Sequence, residues 1–109
     1  MIQVIVTEHD GRVASFEMSG HADYAEHGQD LVCAGASAVS FGAVNAIVEL
    51  TGIEPAIEQA DSGYLQVGFP ELPDRVKDEQ VQLIVRSMIV SLQTIEQGYG
   101  DFIAITFKG

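Results

Sequence analysis

Cys33 is the only cysteine in a chain of 109 residues, and it follows His21 within the stretch "GHADYAEHGQDLVCAGAS", which runs from Gly20 to Ser37. A thiol and an imidazole are the nucleophile and the base of a cysteine hydrolase. Asp30 stands directly before an apolar run and reads as the N-cap of a helix that starts at Leu31. Cys33 then falls in the first turn, where unpaired backbone N–H groups and the positive end of the helix dipole favour a thiolate over a thiol. The same groups, that of Cys33 first, are candidates to hold the oxyanion of a tetrahedral intermediate in acyl transfer. His21, at the end of a strand, would take the thiol proton and later give it to the leaving amine.

Other readings of these residues stand beside that one. A lone cysteine is most often a small buried hydrophobe. His21, His27 and Cys33 supply three zinc ligands and leave a fourth position open, but their spacing matches no strong zinc pattern and no second cysteine supports it. Asp30 either orients His21 or only caps the helix; its own charge opposes a nearby thiolate, which favours capping. Ser37 lies one turn after Cys33 on the same helical face. Gly20 and Gly28 flank the loop as hinges or as turn residues. Tyr24 reads as a loop anchor and His9 as an exposed turn residue.

The elements that must carry these residues follow from periodicity. Ile2, Val4 and Val6 alternate with Gln3 and Ile5; Ala14, Phe16 and Met18 alternate again after the turn at Asp10-Gly11, which predicts a hairpin. A helix follows over residues 31–50, apolar nearly all round, which predicts burial on most sides by a sheet and by a second copy of the chain. Residues 31–48 carry no charge over a length that would cross a bilayer, yet the run is rich in Ala, Gly and Ser and holds Asn45, so a buried helix is the expectation. Residues 56–60 and 64–69 form a second hairpin around Asp61-Ser62-Gly63. Asp74 opens a second helix, with Val81, Ile84, Val85, Met88, Leu92, Ile95 and Tyr99 on one stripe, and residues 102–107 make a last strand. The order β-β-α-β-β-α-β predicts a single α+β domain over 1–109: a two-layer sandwich with two main helices and a five-stranded, mostly antiparallel or mixed sheet.

Composition narrows the function. Five basic residues against sixteen acidic ones give a net charge of −11. Nucleic acid is held largely by basic groups on phosphates, so direct nucleic-acid binding is not expected. A basic protein partner suits that field, and solubility alone would also account for it. A single cysteine forms no internal disulfide, and no charged, apolar leader opens the sequence, so the expected compartment is the cytoplasm.

Gly20-His21-Ala22, Asp30-Leu31-Val32-Cys33-Ala34 and Ser37 together resemble the signature of the ribosomal-processing cysteine protease family, Prp. The resemblance implies a dyad of Cys33 and His21, with Gly20, Asp30 and Ser37 supporting the site and no cofactor or metal. It implies as substrate the large ribosomal subunit protein twenty-seven, from which a short N-terminal extension is removed. It also implies a homodimer and a mobile loop before the cysteine helix. Gly35 stands where the family has Ala and Leu31 where Ile is common; neither touches the dyad. The rival reading from another class is a non-enzymatic acidic binding module, such as a ribosome-assembly factor that holds a basic segment.

Overall fold

Apolar residues at every second position build strands that bury one face, and those at helical spacing build helices that bury one stripe. The computed structural model describes residues 1–26, 29–60 and 63–109. In it the chain forms β1 (Ile2–His9), β2 (Arg12–Ser19), α1 (Leu31–Thr51), β3 (Ala56–Ala60), β4 (Tyr64–Gly68), α2 (Arg75–Tyr99) and β5 (Ile103–Lys108). The element order, the two helices and the α+β class are those the periodicity predicts. Asp61 and Ser62 of the second turn lie outside the described residues, as do His27 and Gly28.

The five strands make one sheet in the order β3-β4-β2-β1-β5. β1 pairs antiparallel with β2, β2 with β4, and β4 with β3, while β5 runs parallel to β1. The sheet is therefore mixed. β5 is reached from β4 through α2, the long crossover that lets it run parallel to β1. Ile2, Val4, Val6, Phe16, Leu65, Val67 and Ile103 point to the helical layer and meet Val32, Ala36, Val44, Ile47, Val85 and Leu92 in one core. Full burial of each such side chain contributes about 1.5–3 kcal/mol.

The alternation of β2 departs from expectation at its start. The register passes from Thr7 opposite Ser15 to Glu8 opposite Val13, so Ala14 is an extra residue in a bulge. Val13, wholly buried, takes the inward place with Phe16 and Met18, and Ala14 does not. Gln82 of α2 then reads the bulged strand: Val13 N donates to its Oε1 at 2.8 Å and its Nε2 donates to Val13 O at 2.9 Å. Arg12 beside it donates to Asp78 at 2.7 Å and to the Phe69 carbonyl at 2.9 Å. These contacts clamp the start of α2 to the sheet, away from Cys33.

Within one chain, α1 meets only part of the burial expected of it. It is buried along one face only, through Val32, Ala36, Ser40, Val44, Ile47 and Thr51. Leu31 and Leu50 are 66% and 74% exposed, and Ala34, Ala38 and Asn45 face out as well. The cause is the layering: the sheet lies on one side of α1, α2 flanks it, and among the described residues nothing else covers the rest. The two edges of the sheet differ too. Along β5 the N–H of Ile105 donates to Glu96 Oε2 at 2.8 Å, whereas all five residues of β3 are exposed.

Candidate active site

Asp30 organises the region around Cys33. In extended conformation at φ −84° and ψ 106°, it accepts from Val32 N and Cys33 N through Oδ1, each at 3.0 Å. Its other oxygen, Oδ2, accepts from Tyr24 N at 2.9 Å and Ala25 N at 3.4 Å. One buried carboxylate thus ties the loop to the first turn of α1. Burial alone would raise its pKa; the N–H donors of Cys33, Tyr24, Ala25 and Val32 outweigh it and hold the carboxyl below its ordinary value. Asp30 caps the helix and fastens the loop, and it makes no hydrogen bond to His21 among the described residues.

The cap changes one expectation directly. Cys33 N–H is engaged by Asp30, so it is not a free donor for an oxyanion. A donor absent from the sequence reasoning stands on the sulfur instead: Ala22 N–H donates to Cys33 Sγ at 3.3 Å. Ala22 is itself anchored, buried in the core at 3% exposure. No motif rule singles out a backbone group of an alanine, and only the fold of the loop brings it to the thiol.

His21 reaches the site from the end of β2. Gly20 before it has φ +85°, and a Cβ there would lie 2.6 Å from the Met1 carbonyl oxygen, so only glycine fits between the turn and β1. On the other side, Gly63 at the base of the β3–β4 turn has φ +75°. A Cβ on it would lie 2.8 Å from Gly20 O and 3.5 Å from His21 Cε1. The imidazole is therefore backed by a glycine of a different hairpin, a second contact that sequence reasoning did not find. His21 and Cys33 line one cavity of about 780 Å³ together with Gly20, Asp30 and Ser37. No hydrogen bond joins the ring to the sulfur among the described residues.

Met18, Ala36, Phe41 and Leu65 make the apolar part of that cavity, and Gln59, Tyr64 and Asp23 its polar rim. Burial, then the charges of Glu17 and Glu58, push the Tyr64 phenol upward, so it stays a neutral hydrogen-bonding group. Tyr24 is the loop anchor expected of it, edge-on to Tyr99 at 5.5 Å and to Phe102 at 5.1 Å between ring centroids. The hinge expected at Gly28, and the third zinc ligand considered at His27, fall outside the described residues. His9 is exposed, as expected, but it closes β1 opposite Arg12 rather than lying in the turn, with its Nε2 3.6 Å from Asp10 Oδ2.

A cavity with a half-buried thiol at a helix start, an imidazole on its wall and an apolar floor suits covalent attack on an extended peptide. Comparison with known proteins agrees. The family model described as cysteine protease Prp matches residues 1–104. The ribosomal processing cysteine protease Prp of Bacillus subtilis (strain 168) is 51% identical over 108 residues, covering 97% of this chain and 96% of that protein. The crystal structure of an essential ribosomal processing protease Prp from S. aureus, in complex with a covalently linked product peptide, superposes with a TM-score of 0.90. It is 44% identical and covers 99% of this chain and all of the other. A second structure of that protease, in complex with a substrate peptide, gives a TM-score of 0.83 at the same identity and coverage.

Proposed function

The chain belongs to the Prp family of cysteine proteases, and on that footing we propose that Cys33 is its nucleophile, that His21 is its general base and acid, and that its substrate is a ribosomal protein carrying an N-terminal extension. The large ribosomal subunit protein twenty-seven is the named substrate in this reading. The observation that carries it is the cavity that His21 and Cys33 line together.

Substrate enters along the apolar floor, and the loop from Gly20 draws His21 onto the sulfur. His21 takes the thiol proton, the sulfur attacks the peptide carbonyl, and the tetrahedral intermediate collapses as His21 protonates the leaving amine. Water, activated by the same ring, then attacks the thioester and restores the thiol. Gly20, Asp30 and Ser37 support these steps by shaping the loop, capping the helix and lining the cavity. No cofactor takes part.

The charge of −11 attracts a basic substrate, and Asp23 and Glu58 sit exposed at or near the cavity rim. The enzyme works in the cytoplasm, where a thiol stays reduced. It works as a homodimer that covers the open face of α1 around Leu31, Ala34 and Ala38.

Mass spectrometry of the host's extended ribosomal protein after incubation tests the reading. One N-terminal cut is expected with the native chain, none with Cys33→Ala, and a strongly slowed one with His21→Ala. Absence of any cut, with the fold intact and the thiol reduced, overturns it and leaves a binding module for a basic segment.

A further inference from the structure

We infer that the backbone N–H of Ala22 is the oxyanion donor of this site, passing from Cys33 Sγ to the substrate oxygen as the sulfur adds to the carbonyl and the tetrahedral intermediate forms. The inference rests on Cys33 being the nucleophile, as proposed above.

The first turn of a cysteine helix is the obvious source of such a donor, and here it is occupied. Val32 and Cys33 N–H groups both end on Asp30 Oδ1, each at 3.0 Å, and Ala34 N–H ends on the Asp30 carbonyl at 3.0 Å. Ala22 N–H instead points at the reacting atom, 3.3 Å from Sγ. When that sulfur bonds to a carbonyl carbon, the π electrons move to the carbonyl oxygen, which then lies one bond beyond the new C–S linkage. A donor already touching the sulfur is within hydrogen-bond reach of that oxygen, and the thiolate that it served has by then lost its charge to it. One fixed N–H thus follows the negative charge from sulfur to oxygen without rearrangement, which is what preorganised stabilisation requires.

The surroundings keep the group in place. The buried Ala22 methyl anchors one side, and Gly20 is wedged under the Met1 carbonyl on the other. Ala22 also follows His21 directly, so the base and the oxyanion donor travel on one short segment. Whatever seats His21 on Cys33 seats the donor as well.

The unique cysteine makes a single-atom test practicable. A synthetic segment of residues 1–32 in which lactate replaces Ala22 turns that amide N–H into an ester oxygen, and ligation at Cys33 to residues 33–109 restores the whole chain. The same replacement at Ala14, in the β2 bulge at the far end of the strand, is the control. The expected result for Ala22 is a loss in kcat of about 10²–10³-fold with KM little changed, beside near-native kinetics for the control. An unchanged kcat overturns the inference.

Should the ester fail to fold, the native chain answers by NMR. Addition of Cys33 to a substrate-like peptide aldehyde forms a C–S bond and an oxygen-centred charge or hydroxyl. The Ala22 amide proton is expected to show the largest downfield shift, and a dominant shift at the Cys33 or Leu31 amide overturns the assignment. If the aldehyde never bonds to Cys33 while cleavage proceeds, the nucleophile assignment fails instead.

Discussion

Both helices begin on an aspartate, and the two caps are nearly superposable in backbone shape: φ −84° and ψ 106° at Asp30, φ −78° and ψ 106° at Asp74. Their surroundings differ. Asp74 is exposed, and among the described residues its carboxylate accepts one bond, from Lys77 N at 3.1 Å. Asp30 is buried and, among the described residues, its carboxylate accepts four, two from its own helix and two from the loop that carries His21. A cap by itself serves the helix. When its second oxygen is turned to another segment, the same residue fixes the distance between two parts of a site. The α2 start secures the fold, whereas the α1 start secures a geometry.

The largest effect that would break this contrast is at Asp30. Asp30→Ala frees the loop from α1 and is expected to lower kcat/KM about a hundredfold, the scale of a misplacement near 1 Å. Asp74→Ala is expected to leave cleavage unchanged and to cost about 1 kcal/mol of stability. Equal losses of activity in the two variants, measured in one peptide assay, would erase the distinction.

A smaller effect separates strain from contact. Gly52, which ends α1, and Gly63, which backs His21, have φ +76° and +75°, so alanine strains both backbones by about 1–2 kcal/mol. Only at Gly63 does the added carbon meet Gly20 O and the His21 ring. Gly63→Ala is therefore expected to slow cleavage and to alter its pH profile, while Gly52→Ala lowers Tm with native kinetics per folded molecule. A native pH–rate profile for Gly63→Ala would remove that hairpin from the positioning of His21.

The subtlest prediction concerns acid. The folded Asp30 carboxyl titrates below its unfolded value, so its contribution is complete above the ordinary carboxylate range and is lost as pH falls through the lowered value. The Tm gap between the native chain and Asp30→Asn is expected to hold steady at neutral pH and to narrow in acid. A gap that widens in acid would contradict the sign.

Much of this was legible in the residues. Alternation placed β1, β2 and β4, turn residues placed β3, β-branched and aromatic content placed β5, and a cap before an apolar run and helical spacing placed α1 and α2. Gly20, His21, Asp30, Cys33 and Ser37 were readable as a group, and they share one cavity. What escaped depended on nonlocal contact or on backbone groups. The bulge at Ala14 arises from pairing with β1, the support of His21 comes from Gly63 some forty residues away, and the donor on Cys33 is a peptide N–H that no side-chain pattern encodes. Which sides of α1 one chain covers was not legible, because an all-round apolar helix does not distinguish a face met by its own sheet from one left to a second copy.

The unequal edges of the sheet bear on how the protein can accumulate. Ile105 N–H is already satisfied by Glu96, so the β5 edge offers an incoming strand an interrupted ladder, while β3 stands open. A sheet receptive on one side only can join a partner edge to edge once and then has nothing left to offer. By occupying Ile105 N–H, Glu96 biases any edge-to-edge approach away from β5 and toward β3.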